Sequence, residues 1–81
     1  MSKGAKRFEA MKRNPVNDWG IGDVAVVCRE FGCVCDPPSH GSHYTVWHPD
    51  SDAILPIPAN RPIKRVYIKA LISYIEALNR R

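Results

Sequence analysis

Residues 41–49 read Gly-Ser-His-Tyr-Thr-Val-Trp-His-Pro, and this stretch predicts a β-strand that follows a flexible corner. Side chains alternate between the two faces of a strand. The face toward the core is expected to carry Tyr44, Val46 and His48. The opposite, open face is expected to carry His43, Thr45 and Trp47. An ionisable ring is therefore held where a loop stiffens into a sheet, which gives a catalytic group both rigid support and access.

Two further strands are predicted, one on each side of this stretch. Cys33-Val34-Cys35 is a short apolar run, and the following Asp36-Pro37-Pro38 ends it because proline has no amide hydrogen for a β-ladder. Residues 53–57 follow a polar turn and form the third strand, in which Pro56 indicates an edge position. The chain therefore predicts a three-stranded antiparallel meander.

Two helices are predicted, one before the strands and one after them. Apolar side chains recur at three- and four-residue spacing from Ile21 to Phe31, between Gly20 as the N-cap and Gly32 as a left-handed C-cap. A second amphipathic stripe covers residues 65–78. The predicted fold class is therefore α+β in the order α-β-β-β-α, with both helices on one face of the sheet.

The 81-residue chain has a net charge of +4, and its basic side chains are unevenly placed. Residues 15–81 carry as many acidic as basic groups, so the excess lies in residues 1–14. We predict residues 1–14 to be a basic, loosely ordered arm, because a short isolated helix is marginal in water, and residues 15–81 to form a single domain. Within that domain, a local basic patch able to position a phosphate backbone is expected from Arg61, Lys64, Arg65 and Lys69.

Hydropathy and cysteine content bear on the location of the protein and on whether it binds a metal. The sequence has neither an apolar run of membrane-spanning length nor a hydrophobic signal segment, so no membrane association and a cytoplasmic location are expected. Cys28, Cys33 and Cys35 are expected to be reduced, buried thiols. A zinc site would need Cys33 and Cys35 together with two of the histidines at positions 40, 43 and 48, which is a weak spacing for zinc. We expect no metal and no cofactor.

Three short motifs resemble the HicA family of bacterial mRNA interferase toxins. They are Asn14-Pro15 with Asp18-Trp19 and Ile21, then Gly41-Ser42-His43-Tyr44, and finally residues 58–64 with Tyr67-Ile68. They occur in the family's order over most of the chain. The resemblance implies a fold like that of double-stranded-RNA-binding domains, an endoribonuclease that cleaves mRNA, and inhibition by a HicB-type antitoxin that covers the His43 face.

The resemblance also implies a site. The histidine of the Gly-Ser-His motif is regarded as catalytic in that family, and the matching residue is His43. Many members have a second histidine where this chain has Asn60, whose amide can still donate a hydrogen bond to phosphate. Imidazole can take the proton of a ribose 2′-hydroxyl at neutral pH, and His40 could supply the complementary acid. The expected RNA-binding residues are Gly41, Ser42, Trp47, Asn60, Arg61, Lys64 and Arg65.

Other interpretations stay open at the level of sequence. The chain could be a non-catalytic RNA-binding module of the same fold, in which His43 only positions the RNA. It could also be a small zinc-binding or interaction protein. Trp47 could stack on an unpaired base or contact the antitoxin, whereas His48 is expected to be structural.

Overall fold

Three helices and a three-stranded antiparallel sheet form the fold in the computed structural model, which describes residues 2–80. The helices are α1 (Lys3–Arg13), α2 (Ile21–Glu30) and α3 (Arg65–Asn79). The strands are β1 (Val34–Asp36), β2 (His43–Trp47) and β3 (Ile54–Pro58). The α+β class and the meander order β1-β2-β3 are confirmed, but the prediction of only two helices is wrong.

The additional helix is α1, so the prediction of a loosely ordered N-terminal arm is wrong for residues 3–13. Ser2 caps this helix, and its Oγ accepts a hydrogen bond from the Ala5 amide at 3.1 Å. Phe8 and Met11 are buried in the core, and the Phe8 ring packs edge-on against Phe31 with centroids 4.8 Å apart. Burial of these two side chains stabilises a helix that would be marginal in isolation.

The ends of α2 agree with the sequence pattern. Gly20 is the N-cap, and its amide donates a hydrogen bond to Asp23 Oδ2 at 2.8 Å. Gly32 follows the C-cap residue with a φ of 74°, a conformation that glycine adopts without strain. The Cys33 amide donates to the Cys28 carbonyl oxygen at 2.9 Å and closes the last turn. This turn joins α2 to β1, which begins at Val34.

The central strand β2 fixes the two faces of the sheet. Val46 pairs with Cys35 of β1 and with Leu55 of β3, and it is fully buried on the face toward the helices. The strand predicted from Ala53 begins at Ile54 instead and extends to Pro58. The predicted alternation along β2 holds for Val46, which is buried, and for His43, which is exposed. Tyr44 is only half-buried and lies outside the core cluster, and β2 ends at Trp47, before His48.

The helices cover one face of this sheet in two layers. Helix α2 contacts β1 and α3 contacts β3, while α1 packs against both helices. The buried core that joins them includes Met11, Val24, Val27, Val46, Ile57, Ile68, Leu71 and Ile75. None of the helices formed by residues 2–80 combines the length and apolarity needed to span a membrane.

Candidate functional site

The candidate site lies on the sheet surface that faces away from the helices, which we call the open face. From the strand register, it carries Val34, Asp36, His43, Thr45, Trp47, Ile54, Pro56 and Pro58. His43 is the first residue of β2, and it is exposed. Gly41 lies two residues earlier with a φ of 79°, which lets the chain turn sharply into the strand. The histidine is thus both accessible and anchored by a rigid element.

The segment between β3 and α3, which we call the connection (residues 59–64), begins beside this corner. The Ala59 amide donates a hydrogen bond to the Ser42 carbonyl oxygen at 2.9 Å, directly beyond the His43–Pro58 pair. The ladder between β2 and β3 therefore continues past both strands. Asn60, Arg61 and Lys64 follow on the connection and are exposed. The basic patch thus starts next to the Gly-Ser corner.

The loop before α2 is held against the same connection. The Ile63 amide donates to the Trp19 carbonyl oxygen at 2.8 Å, and the Ile63 side chain is buried. The Trp19 indole is buried in turn and donates from Nε1 to the Asn14 carbonyl oxygen at 2.9 Å. Three motifs that are distant in sequence are therefore joined through backbone hydrogen bonds at one end of the sheet.

Arg61 is engaged by an acidic partner that sequence reasoning did not assign to it. Its Nε donates to Asp18 Oδ1 at 3.0 Å, and an Nη donates to the Asp18 carbonyl oxygen at 3.4 Å. The hydrogen bond and the charge of Asp18 raise the pKa of Arg61, so the guanidinium stays protonated. Both side chains are about two-thirds exposed. Any phosphate that binds Arg61 must therefore compete with a carboxylate, a pairing between residues 43 positions apart that no local pattern reveals.

A cleft of about 470 Å³ lies behind the connection, at the start of α2. It is lined by Arg7, Ile21, Asp23, Ala59 and Arg61 together with two glycines. Arg7 forms an ion pair with Asp23 at 2.7 Å. Because each arginine of the cleft has an acidic partner, the cleft walls are close to neutral. The exposed positive charge of this region is carried instead by Lys64 and Arg65 at the start of α3.

Trp47 lies at the other end of the open face. It is four positions along β2 from His43, which corresponds to about 13 Å along a strand. Its Nε1 donates to Asp36 Oδ2 at 2.9 Å, across the β1–β2 pair. Its partner on β3 is Ile54, which is 66% exposed. The structure therefore separates Trp47 from the predicted phosphate-binding residues and surrounds it with apolar and acidic groups.

The remaining histidines lie outside this arrangement. His40 is exposed in the loop between β1 and β2. His48 Nδ1 accepts a hydrogen bond from the Asp50 amide at 3.0 Å, and its ring lies against Gly32 at the end of α2. His48 therefore helps to fix the chain after β2. Within residues 2–80, no group of three or more histidine, cysteine or acidic side chains is arranged to hold a metal ion.

Comparison with known proteins yields no relative for this chain. No family model matches it, and neither a curated protein nor a solved structure matches it. Its function must therefore be inferred from the three motifs, from their positions in the fold and from the chemistry of their side chains.

Proposed function

We propose that the chain is the toxin of a type II toxin–antitoxin system, an endoribonuclease of the HicA type that cleaves mRNA without a metal ion. The observation that carries the proposal is the convergence of three motifs that resemble that family. Ser42 is hydrogen-bonded to Ala59, and Trp19 is hydrogen-bonded to Ile63. In addition, α2, β1, β2, β3 and α3 follow the α-β-β-β-α order of the double-stranded-RNA-binding-domain-like fold, to which α1 is an addition.

In the proposed reaction His43 acts as the general base. Its imidazole takes the proton of a ribose 2′-hydroxyl, and the resulting oxygen attacks the adjacent phosphorus atom. The Ser42 hydroxyl and the backbone amides of the corner are available to stabilise the phosphate oxygens as their charge grows. Lys64 and Arg65 lie on the exposed start of α3, where they can neutralise the RNA backbone. The 5′-oxygen leaves with a proton, which His40 or a water molecule would supply.

We assign the opposite end of the open face to contact with an inhibitory protein of the HicB type. Ile54 and the half-buried Trp47 form an apolar surface there, and covering it with a partner would be favourable. Asp36 adds a negative charge to the same surface. Such a surface repels a phosphate backbone but suits a protein with apolar and basic side chains. A partner seated there could extend over His43 and block access to it.

The sheet edge at β3 is poorly suited to an added strand, which also favours contact through the open face. The Ala59 amide points toward β2, so by alternation the amides of Ile57 and Leu55 point the same way. The backbone nitrogens of positions 54, 56 and 58 then point away from β2, toward the free edge of the sheet. Two of these three residues, Pro56 and Pro58, are prolines. Proline cannot donate to a new ladder and is a common protection of exposed edges.

A second candidate function is RNA binding without cleavage. One observation favours it: within residues 2–80, no side chain is hydrogen-bonded to the His43 ring. A general base is commonly oriented by another group, as the second member of a catalytic triad is by the third. In this alternative His43 would stack on or hydrogen-bond to RNA, and the basic patch would supply the affinity.

Cleavage of single-stranded RNA in the presence of a metal chelator distinguishes the two functions. We expect the wild-type chain to cleave, and we expect His43→Ala to reduce the rate about 10²- to 10⁴-fold because the general base is lost. His48→Ala is the control for removal of a histidine that takes no part in the proposed reaction, and its effect is expected to be much smaller. Equal product yields from wild type and His43→Ala would refute the nuclease proposal. Retained RNA binding by both would then support the alternative.

A further inference from the structure

The cleft behind the connection has walls that suit an uncharged ligand better than a phosphate. It measures about 470 Å³, within the range of roughly 300–1,000 Å³ typical of small-ligand clefts. Arg7 is paired with Asp23, and Arg61 is paired with Asp18, so both positive charges are balanced. Ile21 adds apolar area to the lining. A ligand of this cleft should therefore offer flat or apolar surface together with neutral hydrogen-bonding groups.

The Arg61 guanidinium is held as a flat surface at the wall of the cleft. Its Nε and one Nη donate to Asp18, and such bonds lie in the plane of the group. A methyl group added to Gly20 would lie 3.5 Å from Arg61 Cδ and 3.6 Å from both Nε and Nη1. Nearly equal distances to three atoms of one plane mean that this plane lies across Gly20, which covers one of its faces. The side chain is 65% exposed, so the opposite face is open.

A stacking role for Arg61 avoids the competition that a phosphate would meet. A phosphate needs the in-plane donors that Asp18 already engages, whereas a nucleobase needs only the face of the guanidinium. Unpaired bases of RNA stack on arginine planes and then present an edge for hydrogen bonding. The open face of Arg61 is therefore suited to a base that is splayed out of a single strand.

Arg7 supplies hydrogen-bond donors for the edge of such a base. Its Nη1 donates to Asp23 Oδ1, and within residues 2–80 its Nε and second Nη have no hydrogen-bond partner. Both Asp23 oxygens already accept a hydrogen bond, the second from the Gly20 amide. The groups left over on this wall are therefore chiefly donors. Guanine presents two adjacent acceptors, O6 and N7, which arginine binds in a bidentate manner, whereas adenine has an amino donor in place of O6.

The cleft lies next to the proposed catalytic corner. Ala59 lines the cleft and donates its amide to the Ser42 carbonyl oxygen, while the preceding Pro58 is paired with His43. The Cα atoms of paired residues in antiparallel strands are only about 5 Å apart. A nucleotide next to the phosphate at His43 can therefore place its base in the cleft.

We propose that this cleft is a guanine-binding subsite, in which Arg61 stacks on the base and Arg7 donates hydrogen bonds to O6 and N7. The inference rests on the proposed function, because it assigns to the RNA substrate a guanine next to the cleaved bond. Lys64 and Arg65 bind the backbone of any RNA, whereas Arg7 and Arg61 read one base of it.

Fluorescence anisotropy of the full-length His43→Ala chain tests this preference. The probes are uridine oligonucleotides that differ at one central position, which carries guanosine, adenosine, 7-deazaguanosine or uridine. We expect guanosine to bind about tenfold more tightly than adenosine, in the lower part of the range for one bidentate arginine–guanine contact. The 7-deazaguanosine probe should lose most of this gain because it lacks the N7 acceptor. Equal affinities for guanosine and adenosine, or tighter binding of adenosine, would overturn the proposal.

Two charge-conserving variants identify the residues involved, since lysine keeps the charge of arginine but lacks its planar fork. Arg7→Lys should reduce the preference for guanosine over adenosine to twofold or less without changing the affinity for the all-uridine probe. Arg61→Lys should reduce the affinity for both purines relative to uridine, because the stacking surface is lost. Arg13→Lys, at the exposed last residue of α1, is the matched control and should keep the full preference. A full preference in folded Arg7→Lys would contradict the assignment of Arg7.

Failure of this inference can be told apart from failure of the proposed function. Tight binding of all four probes without a preference would remove the guanine subsite and leave the nuclease proposal standing. A clear guanosine preference together with equal cleavage by wild type and His43→Ala would remove the nuclease and leave the subsite standing. If none of the probes binds, both proposals are wrong. The comparison of probes on one protein decides the question even if a lysine variant does not fold.

Discussion

The two ends of the open face lie on the same strand and differ sharply in chemistry. At the start of β2, His43 is exposed beside a connection that leads to Lys64 and Arg65. At the end of β2, Trp47 is bonded to Asp36 and lies beside the exposed Ile54. The first end combines an ionisable ring with positive charge, whereas the second combines apolar area with negative charge. A single surface can therefore serve two kinds of ligand at once.

This difference changes the interpretation of Trp47. The sequence places it on the same face as His43, which makes base stacking and protein contact equally reasonable. The structure adds a carboxylate at hydrogen-bond distance and about 13 Å of separation along the strand. Negative charge next to an aromatic ring disfavours a phosphate backbone. We therefore expect RNA to follow the basic end and a protein partner to cover the apolar end.

Charge reversal at the start of α3 should have the largest effect on RNA affinity. In an inactive His43→Ala background, we expect Lys64→Glu with Arg65→Glu to weaken binding of single-stranded RNA about a hundredfold. The slope of log affinity against log salt should become shallower by about 1.4, because two phosphate contacts are lost and each contributes about 0.7 for a single strand. Fluorescence anisotropy at several salt concentrations measures both quantities.

The matched control for this reversal lies on α1. Lys3→Glu with Lys6→Glu makes the same change in net charge at exposed positions remote from the open face. It should weaken binding only slightly. An equal loss of RNA affinity in both double variants would show that RNA responds to net charge alone. The proposal that RNA binds at the basic end of the open face would then be wrong.

A smaller and opposite effect is expected from Asp18. Because Asp18 occupies part of the Arg61 guanidinium, Asp18→Asn should release it for phosphate and strengthen RNA binding about two- to fivefold, the modest range typical of exposed ion pairs. Asp52→Asn makes the same charge change at an exposed position in the β2–β3 turn and is the control. The gain should vanish when Arg61 is replaced by glutamine. A gain that persists there would assign the effect to general electrostatics.

The smallest effect on cleavage is expected from Trp47. Trp47→Ala removes the indole and its bond to Asp36 but leaves the basic end intact, so the cleavage rate should stay within about twofold of wild type. Trp47→Phe retains an aromatic ring and separates the loss of the hydrogen bond from the loss of the ring. If the cleavage rate of Trp47→Ala falls tenfold or more while its circular dichroism spectrum stays normal, Trp47 belongs to the RNA-binding surface.

Local patterns were sufficient to predict much of this molecule. The period of the apolar residues predicts α2 and α3, and the alternation in residues 43–47 predicts which side of β2 is exposed. The glycine signals at both ends of α2 also agree with the structure. These features depend on neighbours within a few positions, so the sequence carries them directly.

Features that depend on distant partners could not be predicted in the same way. Helix α1 forms because Phe8 and Met11 meet a surface made by later elements, and the high charge of residues 1–14 concealed that pair. The Arg61–Asp18 ion pair and the Trp47–Asp36 bond require the tertiary fold before the partners are neighbours. The motifs identified the candidate site, but only the fold divided it into two ends.

The most direct test of this division is a titration of the ¹⁵N-labelled His43→Ala variant with a single-stranded RNA oligonucleotide, followed by NMR. We expect the amide signals of Ser42, Asn60 and Arg65 to shift while the indole signal of Trp47 stays in place. Trp47→Phe identifies that indole signal by its loss. Shifts that concentrate on Trp47 and Asp36, with the corner and the connection unchanged, would contradict the account.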